Sequence, residues 1–179
     1  MNTVKLFLNK ISGEFSLILY ILIASTQTSA AQQNPSPLLT EARQKMPKAF
    51  ESEMVCQDLY DKLKTVKNPD TILKGYIGGV NIAMSKHAPL FDKRGYLITG
   101  TELLDAAIRE KPNTTELLFL RLTIQLNLPS FLGYNDNIDE DKKFIFENYE
   151  TAPPYLKERI TNFIKKSDHF TEEEKARIK

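Results

Sequence analysis

From Ser52 onward, prolines cut this chain at short intervals, and almost every piece between two cuts carries apolar residues three and four positions apart. A proline lacks the N–H that a helix interior needs and fixes its own φ, so each cut marks a place where a helix ends or begins. Spacings of three and four put side chains on one face of a helix. Together these features leave room for little except short helices folded back on one another: an all-α, irregular array of helical hairpins.

The pieces read as follows. Val55, Leu59, Leu63 and Val66 predict a helix over about 52–66, broken by "KNPD" at 67–70. Ile72, Leu73, Tyr76, Ile77, Val80, Ala83, Met84 and His87 form the next stripe, with Lys74, Asn81 and Ser85 turned away and Pro89 closing it. Asp92 is an N-cap candidate for a third helix, whose stripe is Leu97, Gly100, Leu104, Ala107 and Ile108 before Pro112. Further on, Ile138, the Lys142 stem, Ile145 and Tyr149 share one side, and Pro154 to Lys166 carries Leu156, Ile160, Phe163 and Ile164. Thr171 and Glu174 have the spacing of a capping box for a short last helix. The sum is about six short antiparallel helices in a single domain over 48–179. A linker or N-terminal segment at 31–47 precedes it and contains the polar "QQNPSP".

The first 30 residues read as a signal peptide. Lys5 and Lys10 supply positive charge, "FSLILYILIA" (15–24) is an apolar run too short to span a membrane, and small residues follow up to Ala30 and Ala31. A periplasmic or secreted protein is expected, with no membrane span once the signal is removed; the alternative is a signal retained as an anchor, since the n-region is long and contains Glu14. Residues 1–30 hold Lys5, Lys10 and Glu14; without them the 24 basic and 23 acidic residues become 22 of each. That balance points away from nucleic acid and anionic membrane surfaces. The single cysteine, Cys56, cannot form an internal disulfide and reads as a buried, inert thiol.

Two motifs invite over-reading. "GYIGG" (75–79) lacks the Lys and Ser/Thr of a phosphate loop and lies in a helical stripe, so its glycines are expected to let a neighbouring helix come close. "NDNIDED" (135–141) lacks the glycine and the final glutamate of a calcium loop and is expected to serve a helix N-terminus instead.

"GTELLDAAIREKPN" (100–113) resembles the second helix of a tetratricopeptide repeat, with Gly100, Leu104, Ala107 and Pro112 at that family's spacing. The resemblance covers under a tenth of the chain, and Pro89 interrupts the segment where the first helix of a repeat belongs. It implies helix pairs and a partner-binding role. The whole chain also resembles uncharacterised exported proteins of Gram-negative bacteria, which brings no activity with it.

The stretch "LRLTIQLNL" (120–128) alternates apolar and polar residues as a strand does. Its leucines, the cap-like pair Asn113 and Glu116 upstream, and the lack of a partner strand favour a helix over 115–128. At 100° per residue, Glu116, Thr123 and Asn127 gather on a presumed solvent face, while Arg121 and Gln125 point into the core. A guanidinium keeps its charge when buried and must be paired. Asp136 and Asp139 are the first counter-ions expected, Asp105 and Glu102 the second. Arg121 is then a clamp that ties the following loop to the helix. In the other reading, Arg121 and Gln125 bind an anionic ligand between the walls Phe131 and Tyr134.

No nucleophile motif, metal-ligand cluster or cofactor motif stands out, and there are only two histidines. His87 is expected at the last carbonyls of a helix, and His169 in solvent. The expectation is a non-catalytic protein with no cofactor and no metal, interacting with another envelope protein through a groove between helices or the loop 131–134. A small-ligand binder or an enzyme built around Arg121 is the alternative.

Overall fold

Over residues 35–178, which the computed structural model describes, the proline punctuation becomes helix ends. Among the described residues, eight α-helices follow in order: α1 Pro37–Ala49, α2 Glu53–Leu63, α3 Thr71–His87, α4 Leu90–Glu110, α5 Thr115–Asn127, α6 Ile138–Asn148, α7 Pro154–Lys166 and α8 Glu172–Ala176. A single 3₁₀ turn, Ser130–Leu132, links α5 to α6. The side chains of Ser36, Ser52 and Asp70 start α1, α2 and α3 by accepting from the N–H of Leu39, Val55 and Leu73. Asn68 and Asn113 turn the chain with positive φ of 52° and 62°, a conformation asparagine tolerates better than most side chains. Thr171 and Glu174 close the expected capping box.

Two boundaries differ from expectation. The segment 31–47 is mostly not a linker, because Pro37–Ala49 is helical and its Leu39, Ala42, Met46 and Ala49 are buried at helical spacing. The helical domain therefore begins at Pro37, not at residue 48. Pro89, rather than Asp92, is the cap residue of α4, and Asp92 sits in the first turn, where its charge favours the helix dipole. The expected signal segment and its cleavage at Ala30 or Ala31 lie outside the described residues.

The helix α3 is the axis of the array. Met46 of α1 approaches Gly79, and the Ala49 carbonyl meets His87, so α1 and α3 run the same way. Lys45 bridges to Asp58 and Glu41 to Lys62, which sets α2 antiparallel to α1. Gly78 and Gly100 bring α3 and α4 into backbone contact: a Cβ on Gly78 would stand 2.6 Å from the Leu104 nitrogen and 2.7 Å from the Gly100 oxygen. The expected role of "GYIGG" is thus met, and Gly100 is one half of the same crossing. Gly75 lies against Leu117, and Gly79 near Ile124, so α5 runs parallel to α3. The pattern is up, down, up, down, up for α1 to α5.

Two cores result. One joins α1 to α4 with Leu120 and Ile124 of α5. The other joins Phe119 and Leu122 of α5 with α6, α7, Phe170 and Ile178. The central α5 serves both, so its first two turns are buried almost all round. No helix among the described residues is long and apolar enough to cross a membrane.

Candidate functional site

Glu116, expected on a solvent face, is 5% exposed and forms the centre of the largest polar cluster described. Arg43 of α1 donates from Nε to Oε1 and from Nη2 to Oε2, both at 2.7 Å. The Tyr76 hydroxyl of α3 donates to Oε1 at 2.9 Å, and the Tyr155 hydroxyl of α7 to Oε2 at 2.8 Å. Arg159 of α7 donates in turn to the Tyr76 oxygen at 2.7 Å. Four donors fill the roughly four lone-pair positions of a carboxylate, so the oxygens are saturated. Burial and then the Glu116 charge raise the Tyr76 hydroxyl, and the same two causes raise Tyr155 to about 12. Both tyrosines therefore remain donors. Burial works against the charge on Arg43, but its bonds and attraction to Glu116 prevail and hold it above the ordinary arginine value. A saturated carboxylate has no position free for a substrate proton, and the cluster works as a lock between α1, α3, α5 and α7.

The cap-like pair Asn113 and Glu116 does not form; Thr114 is the cap residue of α5, and its side chain makes no cap bond. The run "LLFL" (117–120) carries the opposite signal. Four consecutive apolar residues cover every side of a helix, and such a helix has no solvent face to give Glu116.

Arg121 is paired, but with Asp141. Nε donates to Oδ2 at 2.8 Å and Nη2 to Oδ1 at 2.7 Å, the bidentate geometry of a strong guanidinium–carboxylate pair. Asp141 is fully buried, whereas the expected partners Asp136 and Asp139 stay exposed. Asp141 lies three residues after Ile138 and four before Ile145, on the inner stripe of α6, and that spacing makes it the partner. Burial raises the Asp141 carboxyl above its usual range against the pull of Arg121, while the bonds to Asp141 raise Arg121 against its own desolvation.

The remaining expected residues separate. Gln125 is buried, and neither its amide oxygen nor its nitrogen has a hydrogen-bond partner among the described residues. The Tyr134 hydroxyl donates to Asp105 Oδ1 at 2.8 Å, and the charge of Asp105 acts on Arg121 from nearby without bonding it, the guanidinium's bonds going to Asp141. Glu102 is exposed. Asp139 borders a surface cleft of about 270 Å³ with Lys142, Phe146, Glu174 and Arg177. Phe131 is no wall of an Arg121 pocket, because it stands in solvent.

That exposure belongs to a pattern. In the up-and-down order, the ends of α1, α3 and α5 and the starts of α2 and α4 share one end of the array. Met54 at the start of α2, Leu90 and Phe91 at the start of α4, and Phe131 after α5 are 79%, 77%, 95% and 83% exposed, and Leu132 adds to them. Beyond these five, the large apolar side chains exposed among the described residues are Ile98 and Tyr155.

Cys56 is buried, its Sγ lies 3.9 Å from the Val80 carbonyl, and burial pushes the thiol up to about 11. His87, expected on the last carbonyls of its own helix, instead meets the Ala49 carbonyl at the end of α1 at 2.9 Å, and His169 is exposed. Among the described residues no group of three or more His, Cys, Asp or Glu is placed to hold a metal ion. Comparison with family models, with curated proteins and with solved structures gives no match.

Proposed function

We propose that this chain is a non-catalytic interaction protein, exported by residues 1–30, that docks another protein of the cell envelope through the apolar end of its helical array. The reading rests on one observation: Met54, Leu90, Phe91, Phe131 and Leu132 are all exposed, and each lies beside a helix terminus at the end where α1, α3 and α5 finish and α2 and α4 begin. Exposed apolar side chains scattered singly need no explanation, but five of the seven large apolar residues exposed among the described residues fall beside the termini of one end, which favours an interaction surface there. The two polar clusters of the interior fit the same reading, since both are closed on themselves. Arg121 already holds a carboxylate in its fork, which favours the clamp over a site for an anionic ligand.

A photo-crosslinking residue at Phe131 tests this in cells. One adduct of defined mass is expected; Leu90→Asp or Leu132→Asp should abolish it, and a crosslinker at the exposed Lys165 of α7 should not produce it. No adduct from Phe131, or the same adducts from both positions, would overturn the reading.

A further inference from the structure

The helix α4 has a face that its own chain leaves uncovered. Gly100, Leu104 and Ala107 turn inwards. On the opposite side, at 100° per residue, stand Phe91, Gly95, Ile98 and Glu102, all exposed. Gly95 weakens a helix at an open position, and a Cβ there would meet nothing within 4 Å, so nothing within the described chain requires glycine. Arg94 and Glu102 lie four residues to either side of Ile98. Both are exposed, and neither belongs to any ion pair among the described residues.

We propose that this face pairs two copies of the chain, α4 against α4 in antiparallel orientation, about a two-fold axis at Ile98. A two-fold contact demands that residue i meet j while j meets i. With Ile98 on the axis, Arg94 of one copy faces Glu102 of the other, and the pair occurs twice. Opposite charges at equal distances from an apolar centre complement their own reversed copy, which is what selects a second copy as the occupant. Gly95 lets the two backbones approach, as Gly78 and Gly100 do between α3 and α4. Phe91 of one copy then faces the stretch around Asp105 of the other at each end. The face from Phe91 to Asp105 spans about 21 Å of helix, a small contact, so a weak, concentration-dependent association is expected.

Sedimentation velocity of the purified protein, from about 1 µM to about 500 µM, reads this directly. A concentration-dependent dimer is expected. Arg94→Glu alone and Glu102→Arg alone should each weaken it about tenfold or more by setting like charges opposite one another. The two substitutions together should restore it. Both residues are exposed, so the helical circular-dichroism spectrum should be unchanged throughout. A monomer over the whole range would overturn the proposal. So would a dimer indifferent to the single reversals, or a double variant no better than either single one.

Discussion

Arg121 and Gln125 stand one turn apart on α5, and the interior treats them differently. Arg121→Met removes the charge and leaves the Asp141 carboxylate buried and unpaired, so stability should fall by roughly 3–5 kcal/mol in chemical denaturation. Adding Asp141→Asn should recover part of that loss, because no lone buried charge remains. A neutral or stabilising Arg121→Met would mean that the pair does not clamp α5 to α6. Gln125 keeps both amide atoms from water without a partner, which costs more than an apolar side chain of the same size. Gln125→Leu should therefore raise stability by roughly 1 kcal/mol, read from the shift in denaturation midpoint. The sequence made the need for a partner at Arg121 legible, since a buried guanidinium must be paired. It hid the partner, because Asp141 is one of four acidic residues within six positions, and only the inward phase of α6 singles it out.

At the scale of elements, two glycines of the α3–α4 hairpin give opposite forecasts. A Cβ at Gly78 would meet backbone atoms of α4, which cannot move aside, so Gly78→Ala should cost roughly 1–3 kcal/mol despite the better helix propensity of alanine. Gly95→Ala meets nothing, and the folded single copy should gain about 1 kcal/mol, measured at low protein concentration. Equal effects at the two positions would contradict the crossing. The α1–α2 hairpin forecasts a pH dependence. Lys45 and then Lys62 hold Glu41 and Asp58 below their ordinary values of 4.5 and 3.8. Groups lowered on folding stabilise above those ordinary values, and the effect is lost as pH falls through the folded ones. Asp141 runs the other way: raised by burial, its protonation favours the folded state at low pH, so it adds nothing to acid unfolding. Between about pH 5 and about pH 3, Glu41→Gln with Asp58→Asn should flatten the decline in unfolding free energy, and high salt should do the same. An unaltered decline would move its origin elsewhere. Most helices were readable because proline and stripe spacing are local signals. The helix α1 escaped because three prolines, Pro35, Pro37 and Pro47, imitate a linker while Leu39, Ala42 and Met46 keep helical spacing between them.

At the scale of the molecule, the question is what makes two cores unfold together. The helix α5 gives Leu120 and Ile124 to one core and Phe119 and Leu122 to the other, so apolar packing alone couples them through a single helix. Glu116 adds the second tie, because its oxygens hold Arg43 and Tyr76 from the first core's helices and Tyr155 from the second's. Sequence periodicity could not show this tie, since bonded members such as Arg43 and Tyr155 lie up to 112 residues apart and meet only after four helices have packed. Glu116→Ala strips the acceptor from two tyrosines and leaves Arg43 without its counter-ion in a largely buried position, with an expected loss of roughly 3–5 kcal/mol. The loss should also be uneven. With Glu116 gone, α6, α7 and α8 keep the α5 packing, the Arg121–Asp141 pair and only the direct bonds of Arg159 to Tyr76 and Arg43 to Tyr155, so they should open at lower free energy than α3 and α4. Native-state hydrogen exchange read by mass spectrometry should show protection falling in 138–178 well before 71–110, where the unsubstituted protein opens both together. A uniform fall across both regions would mean that α5 couples the cores without Glu116, and that the buried cluster stabilises the fold without joining its halves.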